Sequence, residues 1–387
     1  MKSLFRSLPP ISFALYITWA GGVAFVPFQS PDSNESSGIR VQGPGTPPQL
    51  GFACCDQGIV RMQALFADAS VIVELKELHA QVAVAIADFS PERVGLVRRL
   101  NGEGVPVIAW IVLAPKDGYY LNADTALQAA VRVDEFEKWT NENGLHWTAV
   151  GLDIEPNFGE LAQLKAHRWH FFETLVRNSF NRRRIAEARR TYSAIIAQLQ
   201  GRGYAVQTYQ MPYLPAERSV DSTALDRLLG TVDVRGNEEY LMLYTSFARP
   251  VGAGMIWSLG HNAQAITIGV TDGNTPAGSG AGPLDWTEVA RDLIVASHYT
   301  RHVGVYNLEG CVRQGFLPRI RMMDWNQSVV LPAASIQRAE QMGRILRTVL
   351  RIFPFIPFLL LAALVLFAWL VRRKAHLLRP DPQIHSC

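Results

Sequence analysis

The stretch Thr148–Asn157, TAVGLDIEPN, decides how the chain is read. Small and apolar residues run from Ala149 to Leu152, two carboxylates follow at Asp153 and Glu155, and Pro156 stops the pattern. A short apolar run without alternation is a strand buried on both faces, as in a parallel sheet covered by helices. Proline ends it because it has no amide hydrogen for a further ladder bond. Residues two apart leave one face of a strand, so Asp153 and Glu155 project together. Gly151 lies on the same face one step earlier and leaves room there.

Seven more segments read the same way: 51–55 (GFACC), 82–88 (VAVAIAD), 105–113 (VPVIAWIVL), 204–211 (YAVQTYQM), 240–246 (YLMLYTS), 265–270 (AITIGV) and 303–309 (VGVYNLE). Helical patterns separate them. In SPERVGLVRRLNGEG, Ser90 caps, Pro91 fits the first helical position and Glu103–Gly104 ends the helix. In DWTEVARDLIVASHY, Asp285 and Glu288 stand as a capping box. The stretch 57–79 reads as one broken helix or two. Eight βα units over this length predict an α/β fold, a (β/α)8 TIM barrel across 51–330. A doubly wound open sheet is the alternative, but no G-x-G-x-x-G follows any strand.

The flanks differ in kind. Residues 1–28 place Lys2 and Arg6 before a mostly apolar stretch, as in a signal peptide or signal anchor. Residues 29–50 are rich in Pro, Gly and Ser and read as a flexible linker. Residues 331–351 form a juxtamembrane helix. The uncharged IFPFIPFLLLAALVLFAWLV, Ile352 to Val371, is long enough as a transmembrane helix for roughly 30 Å of hydrocarbon and would contact membrane lipid. A short basic tail, 372–387, closes the chain. With the N-terminal charges inside, the barrel is exported: membrane-anchored and extracytoplasmic.

Of 387 residues, 37 are Lys or Arg and 34 Asp or Glu, a net charge of +3. That balance is too even for a nucleic-acid partner. Barrel enzymes work at the C-terminal ends of their strands. Those ends carry Asp56, Asp88, Trp110, Asp153, Glu155, Gln210, Tyr244, Asp272 and Glu309. Lysine is absent, against Schiff-base chemistry. Histidine is absent too, against a Ser-His-Asp triad or a His-rich metal centre. No cofactor is expected. Two carboxylates this close cannot both ionise easily, so one stays protonated, as a general acid requires. Trp110, Tyr119, Tyr120, Asn122, Tyr209, Gln210 and Tyr244 supply stacking faces and polar groups suited to a carbohydrate substrate. The glycine-rich 271–283 reads as a lid or an unstructured loop. Strands one and eight are neighbours in a closed barrel, which brings Cys311 towards Cys54 or Cys55, and an exported domain permits a disulfide.

GLDIEPN resembles the catalytic strand of chitinase-type glycoside hydrolases of family 18, whose motif ends in Asp-x-Glu with the Glu as general acid. Asp153 and Glu155 match it, while Thr148 and Gly151 stand where that motif has its earlier aspartates. Met242–Tyr244 is similar to the family's Met-x-Tyr, with Thr245 in place of the following Asp. Trp325 would stand in for the tryptophan beneath the sugar. Retaining (β/α)8 glycosidases more widely place their acid/base Glu at the end of strand four, often before proline, as in Glu155–Pro156. Their second carboxylate comes from strand seven, where this chain offers Asp272.

The resemblance implies a glycoside hydrolase with Glu155 as acid. The second group is then the substrate's N-acetyl held by Asp153 and Tyr244, or a nucleophile or base at Asp272 or Glu309. Carboxylates roughly 5–5.5 Å apart imply retention and roughly 6.5–9.5 Å inversion. Two rivals stand beside it. One is a catalytically inactive barrel that binds polysaccharide. The other is a phosphodiesterase with a metal held by Asp56, Asp88, Asp153 and Glu155.

Overall fold

A computed structural model describes residues 38–156, 177–249, 251–272, 282–355 and 369–370. The expected signal segment, most of the expected membrane span and the tail lie outside the described residues. Among the described residues no helix is long and apolar enough to cross a membrane. Most of the glycine-rich stretch 271–283 also lies outside them.

Eight parallel strands close into a barrel in sequence order: β2 (Gln49–Cys54), β3 (Gln81–Ile86), β4 (Val107–Ile111), β5 (Ala149–Asp153), β6 (Ala205–Gln210), β7 (Glu238–Leu243), β8 (Ala265–Gly269) and β9 (His302–Tyr306). The expected eight strands are all present. β2 pairs with β9 to complete the ring. Outside it, β1 (Gly38–Gln42) pairs antiparallel with β10 (Ser328–Pro332).

The helices, in chain order, are α1 (Ile59–Ala67), α2 (Ala69–Glu77), α3 (Pro91–Gly102), α4 (Ala126–Asn143), α5 (Arg182–Gly201), α6 (Leu214–Ser219), α7 (Ala224–Leu229), α8 (Gly252–Leu259), α9 (Trp286–Tyr299), α10 (Leu308–Arg313), α11 (Phe316–Arg321) and α12 (Ala333–Ile352). Their caps follow the chemistry of the sequence. Ser90 Oγ accepts from the Arg93 amide at the start of α3. Asp285 and Glu288 form a capping box on α9. Residues 57–79 make two helices because Asp68 interrupts the first and caps the second, accepting from Ser70 N at 2.8 Å.

Strand parity sorts the core. Val82, Val84, Ile86, Val150 and Leu152 belong to the layer beneath the helices. Ala83, Ala85, Ile108, Trp110, Ala149 and Tyr306 form a separate cluster in the barrel interior. Lower in that interior, Tyr209 OH donates to Gln207 Oε1 (3.1 Å) and Gln207 Nε2 donates to Glu238 Oε2 (3.3 Å). Glu238 in turn pairs with His302 at the N-terminal end of the barrel.

Two readings of the flanks change, and one of the barrel. The expected linker is ordered from Gly38, because the alternate residues of IRV give β10 a partner and bury Val41. The expected juxtamembrane helix is part of the folded unit. Ser335, Ile336, Ala339, Met342, Leu346 and Leu350 bury one face of α12, and Gly254 lets α8 approach it so closely that a Cβ there would meet Ser335 O at 2.3 Å. The cysteine expectation fails as well. Cys54 bonds to the adjacent Cys55, and Cys311 is a buried free thiol that donates to Thr271 Oγ1 at 3.8 Å. Although β2 and β9 are neighbours, Cys311 sits on α10 and its sulfur turns towards the end of β8.

Candidate active site

The mouth at the C-terminal strand ends holds two groups of carboxylates. The first is Asp153 with Glu155, at and just past the end of β5. Asp153 is 4% exposed and Glu155 is partly exposed. Burial raises the pKa of both, and the charge of Asp153 raises Glu155 further. Both carboxyls are therefore held towards the protonated form. The Trp110 indole N–H draws Asp153 down somewhat, yet neither Trp110 Nε1 nor Asp153 Oδ1 reaches a partner in hydrogen-bond geometry.

The expected room at Gly151 is filled. A Cβ there would meet Tyr209 Cε2 at 2.9 Å, so the ring from β6 occupies the place where the family 18 motif has an aspartate. A further substituted position, after β7, points elsewhere: Thr245 Oγ1 donates to the buried Asp292 of α9.

The loop after β4 carries the aromatic residues to this pair. Leu121 bridges to Ile154, and Glu155 N donates to Leu121 O at 2.9 Å, so the loop continues the β4–β5 ladder beyond the barrel rim. Tyr119 has a left-handed φ of 64°, and its ring meets that of Tyr120 edge-on at 4.9 Å. Tyr119 OH is buried without a hydrogen-bond partner. The charges of Asp56, Asp153 and Glu155 all raise the pKa of both tyrosines, so both rings lie near the acids of the mouth.

The second group comes from β2, β8 and β9, on the far side of the ring from β5. Tyr306 OH donates to Asp56 Oδ2 at 2.6 Å. Gln57 Nε2 and Asn307 Nδ2 donate to Asp272 Oδ2 at 2.7 and 3.1 Å. Glu309, in the first turn of α10, accepts the Cys55 amide on Oε1 at 2.8 Å, while its Oε2 is buried without a partner. Burial pushes Glu309 up to about 7, opposed by the Cys55 amide and reinforced by the charges of Asp56 and Asp272. Asp56 is raised too, chiefly by burial.

Of the residues expected at the site, Asp153, Glu155, Trp110, Tyr119, Tyr120, Tyr244, Asp272 and Glu309 come together around the mouth. Tyr244 stacks obliquely on Tyr306, with centroids 5.6 Å apart. Four do not serve as expected. Asn122 is 1% exposed and structural: its Oδ1 accepts the Asp124 and Thr125 amides, and its carbonyl accepts Tyr192 OH. Gln210 has the opposite strand parity to Tyr209, so its Nε2 donates outward to Val234 O at 2.8 Å. Tyr209 points down the barrel to Gln207 rather than to the rim. Trp325 is tied to Gly45 on the approach to the N-terminal end of β2, buried in the outer core. The proposed metal set breaks at Asp88. Its carboxyl pairs with the fully buried Arg93 at 2.9 Å, which with Ser90 overcomes burial and holds it down to about 2. Among the described residues no group of three His, Cys, Asp or Glu side chains is arranged to hold a metal ion.

Asp56 and Tyr306 were not among the residues expected to bind substrate. The signal for Tyr306 was its parity with Gly304 on an inward-facing strand, read through to the strand end.

No family model matches the chain, and no curated protein does. Solved structures similar in fold include the PgaB (BpsB) glycoside hydrolase domain from Bordetella bronchiseptica, at 11% identity and TM-score 0.42, covering 71% of this chain and 98% of that one. Another is the 3-keto-D-glucoside 4-epimerase YcjR from E. coli, at 11% and 0.40, covering 71% and 100%. A third is D-allulose 3-epimerase from Methylomonas sp., at 9% and 0.37, covering 80% and 99%.

Proposed function

We propose that the protein is a membrane-anchored, extracytoplasmic glycoside hydrolase acting on a cell-envelope or extracellular glycan, with Glu155 as general acid. The observation that carries this reading is the Asp153–Glu155 pair at the barrel mouth, two neighbouring carboxyls on one strand face whose pKa values burial raises. A protonated Glu beside an ionised Asp is the group that donates to a leaving glycosidic oxygen. Glu309 and Asp56, across the mouth, supply the second carboxylate, as nucleophile or as base for water. The aromatic wall of Trp110, Tyr119, Tyr120, Tyr244 and Tyr306 suits the C–H faces of a sugar. Anchoring and export rest on residues 1–28 and 352–371 of the sequence.

The replaced motif positions favour one other reading. With Tyr209 over Gly151, Thr245 turned to Asp292 and Thr148 just before the strand, the barrel lacks three acids that the resemblance would require, which fits a polysaccharide-binding protein without turnover. One experiment separates the two. Purified protein is incubated with cell-envelope glycan, and released reducing ends are measured for the wild type and Glu155→Gln. Loss of at least about a hundredfold in the variant is expected, the usual scale for a missing general acid. Equal release by both proteins would refute the assignment, and no release by either would leave the binding protein.

A further inference from the structure

The arginine-rich start of α5 takes no part in the site described above. Residues 177–190, RNSFNRRRIAEARR, hold six arginines against one acid, Glu187. Arg183 pairs with Glu187, Arg184 with Asp124, and Arg189 stands 3.9 Å from Asp226. Arg182 is exposed, and no acid pairs with it among the described residues. Its charge acts on Arg227 of α7, which is 5% exposed. Arg227 has no ion-pair partner among the described residues either, and its Nε is enclosed without a hydrogen bond. Burial and the charge of Arg182 pull its pKa below the usual arginine value, offset only in part by Glu217. A buried guanidinium without an anion is costly, so this place is short of negative charge.

The neighbours of Arg227 fix where on the fold this place lies. Arg184 Nη1 donates to Arg227 O at 3.2 Å, and Ala123 N donates to Gly230 O at 2.6 Å. Ala123 and Asp124 belong to the loop that carries Tyr119 and Tyr120, so the cluster is at the mouth end of the barrel. The Arg227 guanidinium also stands 5.9 Å from the ring centroid of Phe353, where the apolar stretch 352–371 begins. Ile345, Val349 and Ile352 make an exposed stripe at helical spacing along α12, beside the exposed Arg344 and Arg351. Phe355 continues it, 60% exposed, and Phe180, just before α5, is 64% exposed.

We propose that this rim of α5, α7 and α12 docks on an anionic phospholipid bilayer, with lipid phosphate answering Arg182 and Arg227 and the mouth end of the barrel brought to the membrane surface. This rests on the anchoring part of the proposed function and not on the hydrolase. Exposed apolar side chains interleaved with arginines suit a bilayer surface, the apolar groups entering the acyl boundary and the guanidinium groups binding phosphate. An acidic protein would answer the charge as well. Lipid is favoured because the apolar stretch leaves the fold at the same spot.

The test reads amide hydrogen exchange of the full-length protein in nanodiscs, either of neutral phosphatidylcholine or with about 30% anionic phosphatidylglycerol. Exchange across residues 182–190 and 345–355 should slow at least about fivefold in the anionic discs, the effect of roughly one charge contact. The segment 43–48, at the opposite end of the barrel, should exchange alike in both. The protection should fade in about 0.5 M salt. Arg227→Gln should remove most of the difference. Arg182→Gln with Arg351→Gln, both exposed, replaces it should it not fold, and the lipid dependence of the wild type decides in any case. Equal exchange in the two discs overturns the proposal. So does equal protection by inorganic phosphate in neutral discs, which would mark a site for a soluble anion. Carbonate extraction tests the anchor separately. Protein retained by the membrane without lipid-dependent protection keeps the anchor and removes the docking. Protein released by carbonate yet floated only by anionic vesicles keeps the docking and removes the anchor.

Discussion

Replacing Glu309 by Gln should make the protein more stable at pH 8 and leave it nearly unchanged at pH 4. Glu309 is largely buried, its Oε2 has no partner, and Asp56 and Asp272 add like charge, so its pKa rises from an ordinary 4.5 to about 7. A carboxyl raised in the fold holds its proton where the unfolded chain has already lost it. Below pH 4.5 both states are protonated and the group has no effect. Between 4.5 and about 7 the unfolded state ionises first, so stability falls as pH rises. Above about 7 the full penalty remains. At about 1.36 kcal/mol per pKa unit, the gap corresponds to at most about 3 kcal/mol. Solvent at the partly exposed carboxyl screens this to about 1–2 kcal/mol. Glutamine keeps the volume, lets its Oε1 accept the Cys55 amide, and carries no charge. Urea unfolding midpoints at the two pH values measure the difference. A variant that is no more stable at pH 8 than at pH 4, relative to wild type, would refute the claim that Glu309 is an uncompensated acid.

Two further substitutions probe the packing that shapes the site and the flank. Gly151→Ala puts a methyl 2.9 Å from the Tyr209 ring, so thermal unfolding should report a loss of about 1–3 kcal/mol. Adding Tyr209→Ala should recover part of it, and strict additivity of the two losses would speak against the contact. Gly254→Ala meets the backbone of Ser335, which cannot move unless α12 moves. A loss of about 2–3 kcal/mol is expected, together with faster proteolysis within α12, and unchanged digestion would show that the helix is not held there.

What could be read along the chain was local. Parallel strands buried on both faces appear as apolar runs whatever surrounds them, so all eight were visible, as were the caps at Ser90 and Asp285 and the shared face of Asp153 and Glu155. Strand parity is also local, and a stricter use of it would have turned Gln210 outward and Tyr306 inward. Other features depended on which segments meet. Gly43, Gly45 and Pro44 look like linker residues until β10 arrives to pair with the neighbouring strand. Trp325 and Asn122 look like sugar ligands until their burial is known.

The eightfold alternation of strands and helices, and one acid pair at a strand end, were therefore determined by the sequence alone, because period and spacing need no partner. Tertiary structure decided the rest of the site. It placed Tyr209 over Gly151, gave Asp88 to Arg93, and set Asp56 and Glu309 opposite Glu155. Apart from the local Asp88–Arg93 pair, these turn on contacts between residues distant in the chain, and in all of them desolvation and neighbouring groups, rather than residue type, fix what a side chain can do.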